Sequence, residues 1–341
     1  VVNIGLEGMM IAGTWFGAWA GWEFGPWYGV AFGIIGGAIF GLIHAIATVT
    51  FAVDHIVSGV AINILAAGAM RFMSVVVYTP DTGGGATQSP RIQSQIGTFD
   101  LPLLSDAFNW IEDRAIFFLS DLAGLFAGFT TKMSWLTLVA LVIIPLTWWA
   151  LWRTPWGLRL RSCGENPYAA ESLGVPVLRM KYYGVVISGA LAGLGGAYLV
   201  VVQAGIYREG MTAGRGFIGL AALIFGNWYP FGVAAGSSVF GYADALSLRQ
   251  GEAVHALLLV IAIALVLLAV WSFTRQKTTA AIIQAAGAAA FLTWYLVTDT
   301  VPNQVIAALP YLVTLLVLSL ATQRLRMPAA DGLRYRKGEA V

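Results

Sequence analysis

The sequence predicts an all-α, polytopic integral membrane protein with about eight to ten membrane-crossing helices, some of them short and broken. Three observations predict it. Residues are 58% hydrophobic and only 11% charged, with a net charge of +2. A soluble domain carries about a quarter charged residues, so this chain cannot clothe a globular surface. Second, Ala256–Trp271, Trp135–Trp152 and Tyr182–Val202 contain no side chain that is ionised at neutral pH. Each approaches the roughly 20 apolar residues that a helix needs to cross a bilayer. Third, lipid offers no partners to free backbone groups, so such runs cross as helices.

Taken in order, helices are expected near 8–22, 28–50, 56–77, 133–152, 182–204, 216–227, 230–248, 254–273, 280–298 and 304–322. The first and sixth are too short to span comfortably. All belong to a single transmembrane domain, 1–341. Residues 78–132 begin with the turn-rich Pro80–Pro90 and carry an acidic excess, which predicts an extracytoplasmic loop. Within it, Leu103–Phe126 mixes acidic and apolar residues, as a helix lying at the membrane interface does. Residues 153–181 hold Arg153, Arg159, Arg161, Arg179 and Lys181, and the tail 323–341 holds Arg324, Arg326, Arg334, Arg336 and Lys337. With Arg275 and Lys277, these basic segments are expected on the cytoplasmic side. The chain opens at Val1 with no visible signal peptide, and a preceding segment is expected.

Gly29, Gly33, Gly37 and Gly41 recur every fourth residue, a stripe suited to close helix packing. A weak internal echo pairs Gly29–Gly33 with Gly232–Gly236 and Ile4-Gly5-Leu6 with Ile218-Gly219-Leu220. Short segments paired in two halves point to a transport pathway at their interface. Trp15, Trp19 and Trp22 read as packing or an interfacial belt.

Enzyme chemistry is not indicated. There is no phosphate-binding Gly-rich loop ending in Gly-Lys-Ser/Thr and no Gly-x-Ser-x-Gly elbow. His44, His55 and His255 are too scattered for a helical metal pair, and Cys163 is the chain's single cysteine. The small net charge does not suggest nucleic acid as a partner. If the chain carries out active transport, its energy must come from a partner or from an ion gradient.

Three motifs go beyond composition: Val2–Met10 (VNIGLEGMM), Leu158–Arg179 with its core Gly164–Gly174 (GENPYAAESLG), and Gly214–Ala222 (GRGFIGLAA). Together they resemble the permease subunits of bacterial ABC importers of the nucleoside and simple-sugar (ribose, branched-chain amino acid) superfamily, most closely the nucleoside permeases. The likeness covers most of 1–248 and resumes at Leu309–Leu316. The helices at 254–298 read as an inserted pair, and Gly226–Pro230 lacks the basic residue usual at that turn.

The resemblance implies a multi-pass permease in the bacterial cytoplasmic membrane, with no cofactor of its own. ATP would be hydrolysed by cytoplasmic ATP-binding subunits. A second, different permease and an extracytoplasmic binding protein would complete the machine. It implies an ATPase-coupling loop containing Arg161, Gly164, Glu165, Asn166, Pro167, Ala169, Ala170, Leu173 and Gly174. Residue chemistry agrees, because Asn166 and Pro167 suit a helix start and Gly174 and Pro176 a stop.

Asn3, Glu7 and Asn63 are the candidates for the substrate pathway. Glu7 has two open readings, a functional acid at membrane depth or a cap on a helix N-terminus. Asn63 either meets the solute or joins two helices. The expected cargo is a nucleoside, with ribose or another simple sugar as the alternative. An ion-driven secondary transporter and a purely structural membrane protein are the competing classes.

Overall fold

The computed structural model of the chain describes residues 1–102, 104–112, 114, 130–247, 251–298, 300–302, 304–306, 308 and 326–338. Val1–Gly232 with Arg326–Val341 form one compact unit, and Val233–Leu325 form a second.

The first unit is built on four helices: α1 (Leu6–Glu23), α2 (Pro26–Ala45), α3 (His55–Val77) and α8 (Val177–Tyr198). Both α2 and α8 run on into π-helical turns, Ile46–Thr50 and Leu199–Ala204. The turn between α1 and α2 is made by Gly25 at φ +106° and by Pro26 at the first helical position. The glycine stripe packs helices, as expected. A Cβ on Gly37 would lie 2.2 Å from the carbonyl oxygen of Gly189, and one on Gly193 would lie 2.2 Å from that of Gly33. No side chain fits there, so α2 and α8 meet backbone to backbone.

Met9, Ala12 and Trp15 on α1 recur every three residues and face Ile62, Ala66 and Met70, which recur every four on α3. Trp15 is 1% exposed. Its indole donates to Ser74 Oγ at 2.9 Å, which allows so large an amphipathic ring to sit in the core. α3 starts where the Asp54 carboxylate accepts from the amides of Ile56 (2.9 Å) and Val57 (3.2 Å).

The expected outside loop contains a short helix, α4 (Leu104–Glu112). It is closed by an antiparallel pair, β1 (Thr98–Phe99) with β2 (Met133–Ser134). Residues 115–126, the rest of the expected interfacial helix, lie outside the described residues. After β2 comes α5 (Trp135–Arg153).

The segment 153–181 departs from the single short helix read in it. It holds two helices, α6 (Pro155–Glu165) and α7 (Pro167–Ser172), and α8 begins at Val177 rather than near 182. The reason is local. Thr154 Oγ1 accepts from Gly157 N at 3.1 Å with Pro155 in the first turn, the same start that Asn166 and Pro167 make for α7. The unit's last helix is the half-length α9 (Arg215–Phe225). At about 1.5 Å per residue it covers only about half a bilayer core.

α10 (Pro230–Ser247) leads into the second unit, whose helices α11 (Gly251–Thr274) and α12 (Thr278–Val297) pack along one another. The ring of His255, near the start of α11, stacks 4.5 Å from that of Tyr295, near the end of α12, so the pair is antiparallel. Leu258, Val301 and Ile306 form its core. The helix expected at 304–322 falls almost wholly outside the described residues.

Among the described residues, five stretches have the length and hydropathy of a membrane span: Pro26–Thr50, His55–Val77, Trp135–Arg153, Val177–Ala204 and Thr278–Val297.

Candidate functional site

The expected coupling helix is α7. Asn166 Oδ1 accepts from Ala169 N at 3.0 Å, and Gly174 at φ +80° ends the helix in a left-handed turn. One face turns inward. Pro167 and Ala170 are buried, with Ala170 packed against Cys163, Val177 and Met180. The other face is open. Ala169, Ser172 and Gly174 are exposed, and Leu173 is 84% exposed. Arg161, Glu165 and Asn166 are exposed and Gly164 half-buried on the approach from α6. Arg161 lies over the Trp152 ring, 5.0 Å from its centroid.

The tail packs beneath α7. Tyr335 donates to Glu171 Oε2 at 2.6 Å, and its ring lies 5.2 Å from that of Tyr168. Burial holds the Tyr335 phenol well above its ordinary pKa, so it remains a donor at neutral pH. Burial likewise raises Cys163, keeping it a thiol. Neither tail contact was legible in the sequence, where the tail reads only as a run of basic residues.

Of the two readings of Glu7, the structure shows the cap. Glu7 is the second residue of α1, next to Gly8, whose amide donates to Asn63, and Asn63 is nine residues, about 13 Å, along α3 from Asp54. That places it within the depth of a span. It caps a helix, though not its own, since α1 has no side-chain cap. Glu7 Oε1 accepts from Thr212 Oγ1 (2.6 Å) and Gly214 N (3.0 Å), and Oε2 accepts from Gly216 N (2.7 Å). The amides of Gly214 and Gly216 lie at the N-terminus of α9, where a carboxylate is most favourable. A Cβ on Gly216 would lie 2.5 Å from Glu7 Cα, so only glycine admits the contact. The first and third sequence motifs are therefore two halves of one junction.

Asn63 joins α3 to the entrance of α1. Its Nδ2 donates to Ile4 O at 3.1 Å, and its Oδ1 accepts from Gly8 N at 2.7 Å. Both ends of the amide are thus held by backbone. Asn3 Nδ2 donates to Ser188 Oγ at 3.0 Å and lies 3.2 Å from Met9 Sδ, while its buried Oδ1 has no hydrogen-bond partner among the described residues.

At the far end of α3, residues 87–92 pair with 205–209. Ser89 N donates to Tyr207 O (3.1 Å), Ile92 N to Gly205 O (2.9 Å) and Glu209 N to Thr87 O (2.8 Å). Burial pushes the Tyr207 phenol up to about 12. Arg71 and Glu209 form an ion pair across the same end. This outer pairing and the α7–tail assembly are thus separated by the length of α3, about 35 Å for 23 residues. No group of side chains able to hold a metal ion occurs among the described residues.

Comparison with known proteins agrees with this architecture. The chain is 35% identical to the guanosine ABC transporter permease protein NupQ of Bacillus subtilis over 73% of each chain. It is 33% identical to the nucleoside ABC transporter permease protein NupC of Lactococcus lactis over 99% of this chain and 89% of that one. A second L. lactis protein, the nucleoside ABC transporter permease protein NupB, matches at 29% over 31% of this chain and 28% of its own. No solved structure gives a significant match. The family of transport permeases described as the branched-chain amino acid transport system permease component matches residues 1–271, reaching into α11. With that match covering both the Glu7–α9 junction and the α7 loop, the chain is a multi-pass membrane permease, not an enzyme, and belongs to this family.

Proposed function

We propose that the chain is one of two non-identical permease subunits of an ATP-driven importer of nucleosides in a bacterial cytoplasmic membrane. The observation that carries this reading is α7, a capped helix held on one face and open on the other, with Leu173 at 84% exposure. A short rigid helix with a projecting apolar side chain suits docking into a cleft of a cytoplasmic ATP-binding subunit. The outer pairing of 87–92 with 205–209 lies at the opposite end of α3, where an extracytoplasmic binding protein would deliver its cargo. Support for nucleosides as the cargo comes from the names of the relatives, and support for two different permeases from the two that L. lactis carries.

Closure of the ATPase subunits would displace α7 and tilt the α2–α3–α8 framework, exchanging access between the two sides. Glu7 and Asn63 then hold the framework of the pathway together rather than touch the solute. No group in this chain needs to bind ATP.

The test is uptake of labelled uridine, adenosine, ribose and leucine by cells with and without this chain, its partner subunits present. Chain-dependent nucleoside uptake that persists with an uncoupler and stops on ATP depletion is the expected result. Ribose uptake alone would retain the machine and change its cargo. Uptake lost to the uncoupler at normal ATP would replace the importer with a secondary transporter.

A further inference from the structure

The basic tail is threaded through the coupling end of the first unit and touches four of its elements. Arg326 N donates to Asn227 Oδ1 (2.6 Å) in the turn after α9. Ala330 N donates to Gly164 O (2.9 Å) and Ala329 N to Glu165 Oε2 (3.3 Å), at the end of α6. The Arg334 guanidinium reaches Asp54 Oδ2 (3.4 Å), the cap of α3. Tyr335 donates to Glu171 on α7. Tyr335 is only 5% exposed and packs with Cys163, Ala170, Val177 and Met180, with the Lys181 ammonium 5.0 Å from its ring centroid. A solvated basic tail does not bury its tyrosine or thread its backbone amides into a neighbouring loop.

The need for such a support is physical. α7 is six residues long, too short to be stable alone. Its inner face consists of Pro167 and Ala170, which cover little apolar area.

We infer that residues 326–335 are a working part of the coupling site, in which Tyr335 positions α7 and Arg334 ties the same strap to the start of α3. A displacement of α7 is then passed to α3, and through Asn63 to the entrance of α1. Tyr335 is a positioning residue, acting through Glu171 and Tyr168. The inference rests on the importer reading above.

The test uses the whole importer in proteoliposomes, with three readouts: retention of the ATPase subunits, ATP hydrolysed per nucleoside imported, and the rate at which a maleimide alkylates Cys163. Tyr335→Phe keeps the ring and removes the donor, and Tyr335→Ala removes both. In Tyr335→Ala the ATPase is expected to remain bound while ATP hydrolysed per nucleoside rises about fivefold or more, the lower range of a site-to-site coupling. Cys163 should be alkylated faster, because its cover has gone, and Tyr335→Phe should fall between this variant and wild type in stoichiometry.

Tyr335→Ala with faster alkylation but wild-type stoichiometry overturns the inference, since the strap is then dispensable. Unchanged alkylation overturns it too, because Tyr335 then holds nothing in place. If Tyr335→Ala fails to assemble, an assembled Tyr335→Phe with wild-type stoichiometry is decisive against it. Wild-type import that consumes no ATP removes the importer reading, and this inference with it.

Discussion

Replacing Glu7 with glutamine changes one atom and one charge at the α1–α9 junction. The carboxylate accepts from three donors, Thr212 Oγ1, Gly214 N and Gly216 N. A glutamine amide has one oxygen. If it keeps Thr212 and Gly214, its NH2 faces the N–H of Gly216. In the flipped orientation Gly216 is kept, and the Thr212 hydroxyl can rotate to accept, but Gly214 is left facing an NH2. Either way one charge-assisted bond is lost, about 1.5–3 kcal/mol. Losing the charge at the N-terminus of α9 adds about 0.3–1 kcal/mol. The sum is about 2–4 kcal/mol. The assay is the half-life of the purified permease complex on heating in detergent, read alongside nucleoside uptake. At about 1.4 kcal/mol per tenfold in rate, inactivation should be faster by about tenfold or more if α9 detaches before the barrier. Glu7→Ala strands all three donors and should be worse. A Glu7→Gln complex as durable as wild type would refute the structural role. Normal durability with uptake newly insensitive to pH would point to a proton-linked role instead.

Other consequences can be measured in parallel. Leu173→Glu should leave folding intact, because the side chain is exposed, yet sever ATPase binding in pull-downs, whereas a charged residue at buried Ala170 should unfold the α7 region. Asn166→Ala removes the cap on α7 at a cost of about 0.5–2 kcal/mol, and its uptake should fall before its expression does. Gly193→Ala would place a Cβ 2.2 Å from Gly33 O and should abolish a folded yield, while Gly241→Ala meets nothing within 4 Å and should be neutral or mildly stabilising. The Asp54 carboxylate is held below its ordinary pKa chiefly by the amide of Val57, with the amide of Ile56 and the Arg334 guanidinium assisting. Its contribution is full above the unfolded carboxylate value and is lost as pH falls through the lowered folded value. Thermal stability should therefore drop in acid below about pH 4, and Asp54→Asn, which keeps the cap oxygen, should show less of that drop.

Long-range partners are what the sequence left unread. Apolar runs and glycine spacing located α2, α3, α5 and α8 to within a few residues, because lipid and backbone packing impose period and length directly on composition. The Asn166–Gly174 punctuation located α7, because capping is a local transaction between a side chain and an amide three residues on. The same reasoning reaches α6, since Thr154-Pro155 repeats the Asn166-Pro167 signal, which was overlooked in a segment read as loop. By contrast, Glu7 meets residues more than two hundred positions away. Its acidity was compatible with a functional acid or a cap, and nothing local showed which helix it would meet. Tyr335 against Glu171 is similarly invisible, for an exposed tail and a threaded one have the same composition.

The self-capped end of α9 also bears on what can travel past it. A half-helix ending within a membrane ordinarily offers a patch of positive potential to whatever arrives, and an anionic solute would be drawn to it. Here the chain's own carboxylate occupies that position, accepting from Gly214 N and Gly216 N. The terminus of α9 therefore offers an arriving anion no vacant position at the Gly214 and Gly216 amides. A phosphate arriving there would find the carboxylate of Glu7 already in its place.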